Sequence, residues 1–130
     1  MQETFVHLHV HSEYSLVDGT ARVKPAIALT DQANLFALVR FYKAAMTAGI
    51  KPIGGVDAWL RNPEDPGQPF RLTLLIQDGH GYRNLTELVS RSYLEGQHLG
   101  RAQMDAEWLT PRSVAGLIAL SGGREGDVGR

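Results

Sequence analysis

Three of the five histidines stand at alternate positions, His7, His9 and His11. In an extended strand successive side chains point to opposite faces, so this spacing places three imidazoles on one face and Val6, Leu8 and Val10 on the other. Neutral imidazole is a ligand for zinc, manganese or iron, and a His-x-His pair on a strand aims two rings the same way. Histidines so placed equally serve as hydrogen-bonding residues at the rim of a core. Other polar groups stand at the ends of apolar runs: Asp31 after residues 26–30, Asp57 after Ile53-Gly54-Gly55-Val56, and Ser121 after residues 117–120. Active sites of α/β barrels are built at that end of the strands. His7, His9, His11, Asp31 and Asp57 together would suit a metal-dependent phosphoesterase or 3'-5' exonuclease that uses bound hydroxide as nucleophile. The competing reading is that each aspartate caps a helix or accepts hydrogen bonds from loop amides.

Residues 121–126, Ser-Gly-Gly-Arg-Glu-Gly, can form an amide nest for a phosphate beside Arg124. The turn lacks the lysine and the spacing of a P-loop, and glycines also serve simply to let a chain turn. His80 and His98 fall in turn or loop regions and receive no role. Trp59, Trp108, Phe36, Phe41 and Tyr42 read as packing residues, because no basic residues interleave with them as in a base-stacking platform.

The elements that must position these groups are legible as short apolar runs. Residues 5–10, 26–30, 53–60, 72–76 and 117–120 read as strands. Residues 34–48 carry Leu35, Leu38, Val39, Tyr42, Ala45 and Met46 at helical spacing, with Gly49 as a stop. Residues 82–95 form a second helical stretch after a turn at Gly79 and Gly81, with Leu85, Leu88, Val89 and Ser92 on one side and Gly96 closing it. Residues 61–69, with three prolines, predict a surface loop, and Asp105 caps a short helical turn around Trp108. Strands alternating with helices argue for mainly parallel pairing in an α/β layer or barrel. The exception is residues 11–25, long enough for a crossover yet without a helical period.

Length and composition bound the function. With 130 residues, 43% of them hydrophobic and 21% charged, the chain is the size of one globular domain. A formal charge of -1 supplies no broad positive field, so if nucleic acid is a ligand, its phosphates are not expected to be gripped by this segment. The absence of cysteine excludes disulfides and thiolate metal sites. The start, Met1-Gln2-Glu3-Thr4, does not read as a signal peptide, and no apolar run approaches the roughly 18 residues of a membrane helix, so no membrane association and a cytoplasmic location are expected.

The string Phe5-Val6-His7-Leu8-His9-Val10-His11-Ser12-Glu13-Tyr14-Ser15-Leu16-Val17-Asp18-Gly19 closely resembles the first motif of PHP (polymerase and histidinol phosphatase) domains, as it occurs at the amino terminus of bacterial DNA polymerase III alpha subunits. Further segments are similar in the same order: residues 28–36, 41–45 with 48–53, 81–85, and 116–127. The resemblance implies a distorted (β/α)7 barrel of which residues 1–130 are the amino-terminal part, with polymerase domains lying beyond. It places His9, His11, Asp18 and Asp57 on metal-ligand positions, Asp57 standing where active members usually have glutamate. Gln32 replaces a histidine expected after Asp31, and Arg71 replaces one expected before Leu72-Thr73-Leu74.

Those departures carry a physical consequence. Glutamine is a poor ligand for such metals, and a permanent guanidinium repels divalent cations. A zinc or manganese site is therefore expected to be weak or absent, with His7, Asp31, Gln32, Arg71 and Ser121 at its rim. The resemblance then implies a structural segment with no catalytic residue of its own, which supports a DNA-directed DNA polymerase and docks its proofreading exonuclease (epsilon) subunit. Magnesium-dependent synthesis and DNA contact would belong to later domains of the holoenzyme. The family's helix between the first two strands has no counterpart, since Lys24-Pro25 leads straight into Ala26.

Overall fold

The structure is a computed structural model that describes residues 6–7 and 26–128. In chain order it contains β1 (Val6–His7), β2 (Ala26–Gln32), α1 (Leu38–Thr47), β3 (Lys51–Leu60), β4 (Phe70–Ile76), α2 (Gly79–Glu95), β5 (Gln97–His98), β6 (Arg101–Met104) and β7 (Leu117–Ser121). The strands join in one sheet whose main path runs β1-β2-β3-β4-β7. Strand β6 pairs with β3 and with β5.

The expectation of mainly parallel pairing needs correction. Strands β1, β2 and β3 run parallel, as do β3 and β6, but β4 is antiparallel to both β3 and β7, and β5 is antiparallel to β6. The reason lies in the connector from Arg61 to Pro69. It is shorter than the dozen or so residues that a parallel crossover requires, so the chain turns back as a hairpin. At the two ends of the path, β1 and β7 do not pair with each other among the described residues, so barrel closure is not seen there.

Alternation along β3 divides the sheet into two faces. Val56, Ala58 and Leu60 join Leu74 of β4, Leu85 and Leu88 of α2 and Met104 of β6 in one buried cluster. Full burial of each such leucine contributes about 1.5–3 kcal/mol. Helix α1 lies on the same face: a Cβ at Gly54 would come within 2.6 Å of Leu38 Cδ1, so the missing side chain is what lets the helix sit down. Gly49 stops α1 as its residue type predicts, with φ +71° and its amide donating to the Met46 carbonyl at 3.2 Å.

Helix α2 starts earlier than its apolar period suggests. Asp78 caps it by accepting from the Gly81 amide at 2.9 Å, which draws Gly79 and Gly81 into the first turn. The 3-10 turn over Ala106–Trp108 is capped by Asp105, as expected. Among the described residues no helix is long and apolar enough to cross a membrane.

Candidate functional site

The face of the sheet opposite the two helices carries the candidate site. Register places Gln32 beside Asp57, Asp57 beside Thr73, and Thr73 beside Leu120, so four strands contribute one row. Two residues further along β3, Trp59 stands opposite Arg71 of β4. Asp57 is 2% exposed, and its Oδ2 accepts from Arg71 Nη2. Arg71 Nη1 donates at 3.1 Å to Glu125 Oε2, on the 3-10 turn Gly123–Glu125 that follows β7. The same guanidinium lies 5.4 Å from the centre of the Trp59 ring, and that of Arg101 lies 5.0 Å from it.

Arg71 therefore has its charge balanced by two carboxylates and its plane near an indole, an arrangement suited to arginine's flat fork of donors. A buried carboxylate without such a partner would be costly to hold. Together with Thr73, Ser121 and Gly122, the three charged groups line a cavity of about 290 Å³.

Three amides of the glycine turn are already engaged within the fold. The amides of Glu125 and Gly126 donate to the carbonyls of Gly122 and Gly123, and that of Gly122 donates to Arg71. What the turn presents to the cavity is Glu125, an anion where a phosphate would need cations.

Asp31 is separated from the group. Its register partner is Val56, so its buried side chain belongs to the helix face, whereas Gln32 shares the site face with Asp57. Adjacent strand residues cannot both face one site. The backbone of His7 pairs with Ile27, and its side chain is outside what the structure describes. His9, His11 and Asp18 lie outside the described residues. Ser121, the last residue of β7, reaches the cavity as expected.

Three residues that sequence reasoning did not bring to the site belong beside it: Trp59, Glu125 and Gln103. Trp59 was legible, since it shares the alternation of Asp57. Glu125 depended on the antiparallel return that places the turn against Arg71. Gln103 of β6 is paired in register with Trp59, is 1% exposed, and its Oε1 has no hydrogen-bond partner among the described residues.

The described residues do not fit a divalent cation. Asp57 already accepts from a guanidinium, and an ion at roughly 4 Å from that guanidinium would meet repulsion on the order of several kcal/mol. Among the described residues no group of three or more His, Cys, Asp or Glu side chains is arranged to hold a metal.

Residues 7–130 match the PHP domain family. The chain belongs to that family. This PHP domain is 49% identical to the DNA polymerase III subunit alpha of Pseudomonas aeruginosa over 140 residues, covering 99% of this chain and 12% of that protein. Against the DNA polymerase III subunit alpha of Escherichia coli K12 it is 44% identical over 137 residues, 97% of this chain and 12% of the relative. Identity to the subunit of the same name from Neisseria meningitidis serogroup A is 39% over 140 residues. The chain thus spans 12% of the length of these relatives. A matched span of 140 exceeds the 130 residues of the PHP chain, so its relatives carry residues that it lacks.

Proposed function

We propose that this chain is the amino-terminal PHP segment of a replicative polymerase alpha subunit, and that its own site has become a scaffold in which a guanidinium stands in for metal. The observation that carries this reading is the Arg71 bridge between Asp57 and Glu125, which joins β3, β4 and the turn after β7. A metal cluster would tie the same segments together through carboxylates, and here a cation built into the chain supplies the positive charge. The chain then needs no zinc or manganese to hold this rim, and Gln32 beside Asp57 adds no charged ligand. Template-directed synthesis, with magnesium held by carboxylates, belongs to the parent polymerase beyond these residues. The segment supports that polymerase and docks its proofreading exonuclease subunit.

Metal analysis of the purified full-length subunit after gel filtration tests the reading. The expected result is no stoichiometric zinc or manganese, and no manganese-stimulated hydrolysis of bis(p-nitrophenyl) phosphate by this chain. Stoichiometric metal that disappears in an Asp57→Ala variant, with metal-dependent turnover, would instead establish the phosphoesterase or exonuclease reading.

A further inference from the structure

Of the aromatic side chains expected to pack, Phe36 and Tyr42 are exposed, and Trp59 stands against cations that the fold brings to it. Arg71 of β4 and Arg101 at the start of β6 lie 5.4 Å and 5.0 Å from the centre of its ring. The two arginines differ in what else they meet. Arg71 bridges Asp57 and Glu125, whereas Arg101 is exposed and has no carboxylate within salt-bridge distance among the described residues. A guanidinium that rests on an indole keeps the N–H groups along its edge free to donate.

Trp59 and Arg101 line a cavity of about 270 Å³ with Gly67, Gln68 and Pro69 of the β3–β4 connection and with Glu125. Glu125 is the one residue that this cavity shares with the cavity beside Asp57. Its Oε2 accepts from Arg71, and its Oε1 accepts from nothing among the described residues.

The charges around the cavity select against most classes of ligand. A phosphate or a free carboxylate would meet Glu125, and a metal ion or an amine would meet Arg101. A neutral, flat molecule that donates along one edge and accepts along another satisfies both. Nucleobases have that pattern, and they lay their faces on aromatic rings and guanidinium planes. Guanine matches it most fully: N1–H and N2–H stand side by side for a carboxylate, while O6 and N7 take both donors of an arginine fork.

We propose that this cavity binds a single guanine base, with Glu125 accepting from its Watson–Crick edge, Arg101 donating to O6 and N7, and Trp59 forming a wall. Its volume falls just below the roughly 300–1,000 Å³ of sites that enclose a whole small molecule, so sugar and phosphate stay outside. A formal charge of -1 offers that phosphate no general attraction, and recognition falls to the base.

Equilibrium dialysis of labelled deoxynucleosides against the full-length alpha subunit tests this, without magnesium or DNA so that the site of synthesis contributes nothing. Deoxyguanosine should be retained at one equivalent and roughly fivefold or more tightly than deoxyadenosine, deoxycytidine or thymidine. Arg101→Leu should weaken its binding roughly tenfold. Glu125→Gln should remove the preference for guanine with thermal melting unchanged, since an exposed ion pair adds little stability. A pentanucleotide of four thymidines and a 3'-terminal deoxyguanosine that displaces the label better than deoxyguanosine monophosphate assigns the base to single-stranded DNA. The reverse order assigns it to a free nucleotide, and either order places guanine in this cavity. No retention, equal retention of the four nucleosides, or deoxyguanosine binding that neither variant changes overturns the proposal.

Discussion

Replacement of Arg71 by alanine should lower the unfolding free energy of the chain by about 3–5 kcal/mol, the usual cost of leaving one member of a buried ion pair alone. Asp57 is 2% exposed and accepts from Arg71, so the variant would hold a carboxylate away from water with its charged partner removed. The bridge to Glu125 adds little, because that side chain is 59% exposed and its charge is screened. Urea unfolding followed by circular dichroism measures the loss. The double variant Asp57→Leu, Arg71→Met should recover most of it, since replacing both charges by apolar groups of similar volume removes the uncompensated charge. Equal destabilisation by Arg71→Ala and by the double variant would show that packing against Trp59, rather than charge, accounts for the effect.

Gly81→Ala should destabilise by about 2 kcal/mol, although alanine favours a helix interior over glycine by about 1 kcal/mol. The steric term decides the sign. A Cβ at Gly81 would run into the backbone carbonyl of Gly116, which also accepts from the Gln77 amide at 2.9 Å and cannot swing aside cheaply. Overpacking of this kind costs about 1–3 kcal/mol, and an obstacle made of backbone belongs at the upper end. Gly116 itself sits at φ +77°. Gly79→Ala, two residues earlier, is the control: no atom of the described residues would lie within 4 Å of its Cβ, so thermal melting should show no loss there.

Most of the architecture was legible because apolar runs and glycine stops mark it plainly. β2, β3, β4, β7 and both helices fall where hydrophobic periodicity puts them, within a few residues at their ends. The β5–β6 hairpin was not, because Gln97, His98, Arg101 and Gln103 give it no apolar alternation, and its pairing comes from the edge of β3 that it meets. Strand direction was misjudged at β4, where the length of the 61–69 connector was the usable signal. At the site, the likeness of motifs singled out Asp57, Gln32 and Arg71, and the fold brings all three to one face. It could not reveal that Arg71 and Asp57 bind each other, because that depends on a diagonal across an antiparallel pair. Asp31 was misplaced for a simpler reason: it is the immediate neighbour of Gln32, and a strand shows adjacent residues to opposite sides.

Strand β3 has neighbours that arrive at very different times. Along one edge it meets β2 as far as Asp57 and then β6 at Trp59 and Leu60, while β4 lines the other edge. During synthesis β4 follows β3 after only a short hairpin, but Met104, the partner of Leu60, emerges 44 residues later (104 minus 60). At ribosomal speeds of about 5–20 residues per second, the tip of β3 waits about 2–9 s with one flank open. The nascent chain thus carries an unpaired strand end beside its future ionic clamp for far longer than a hairpin takes to close, and that interval is when chaperones have access to it.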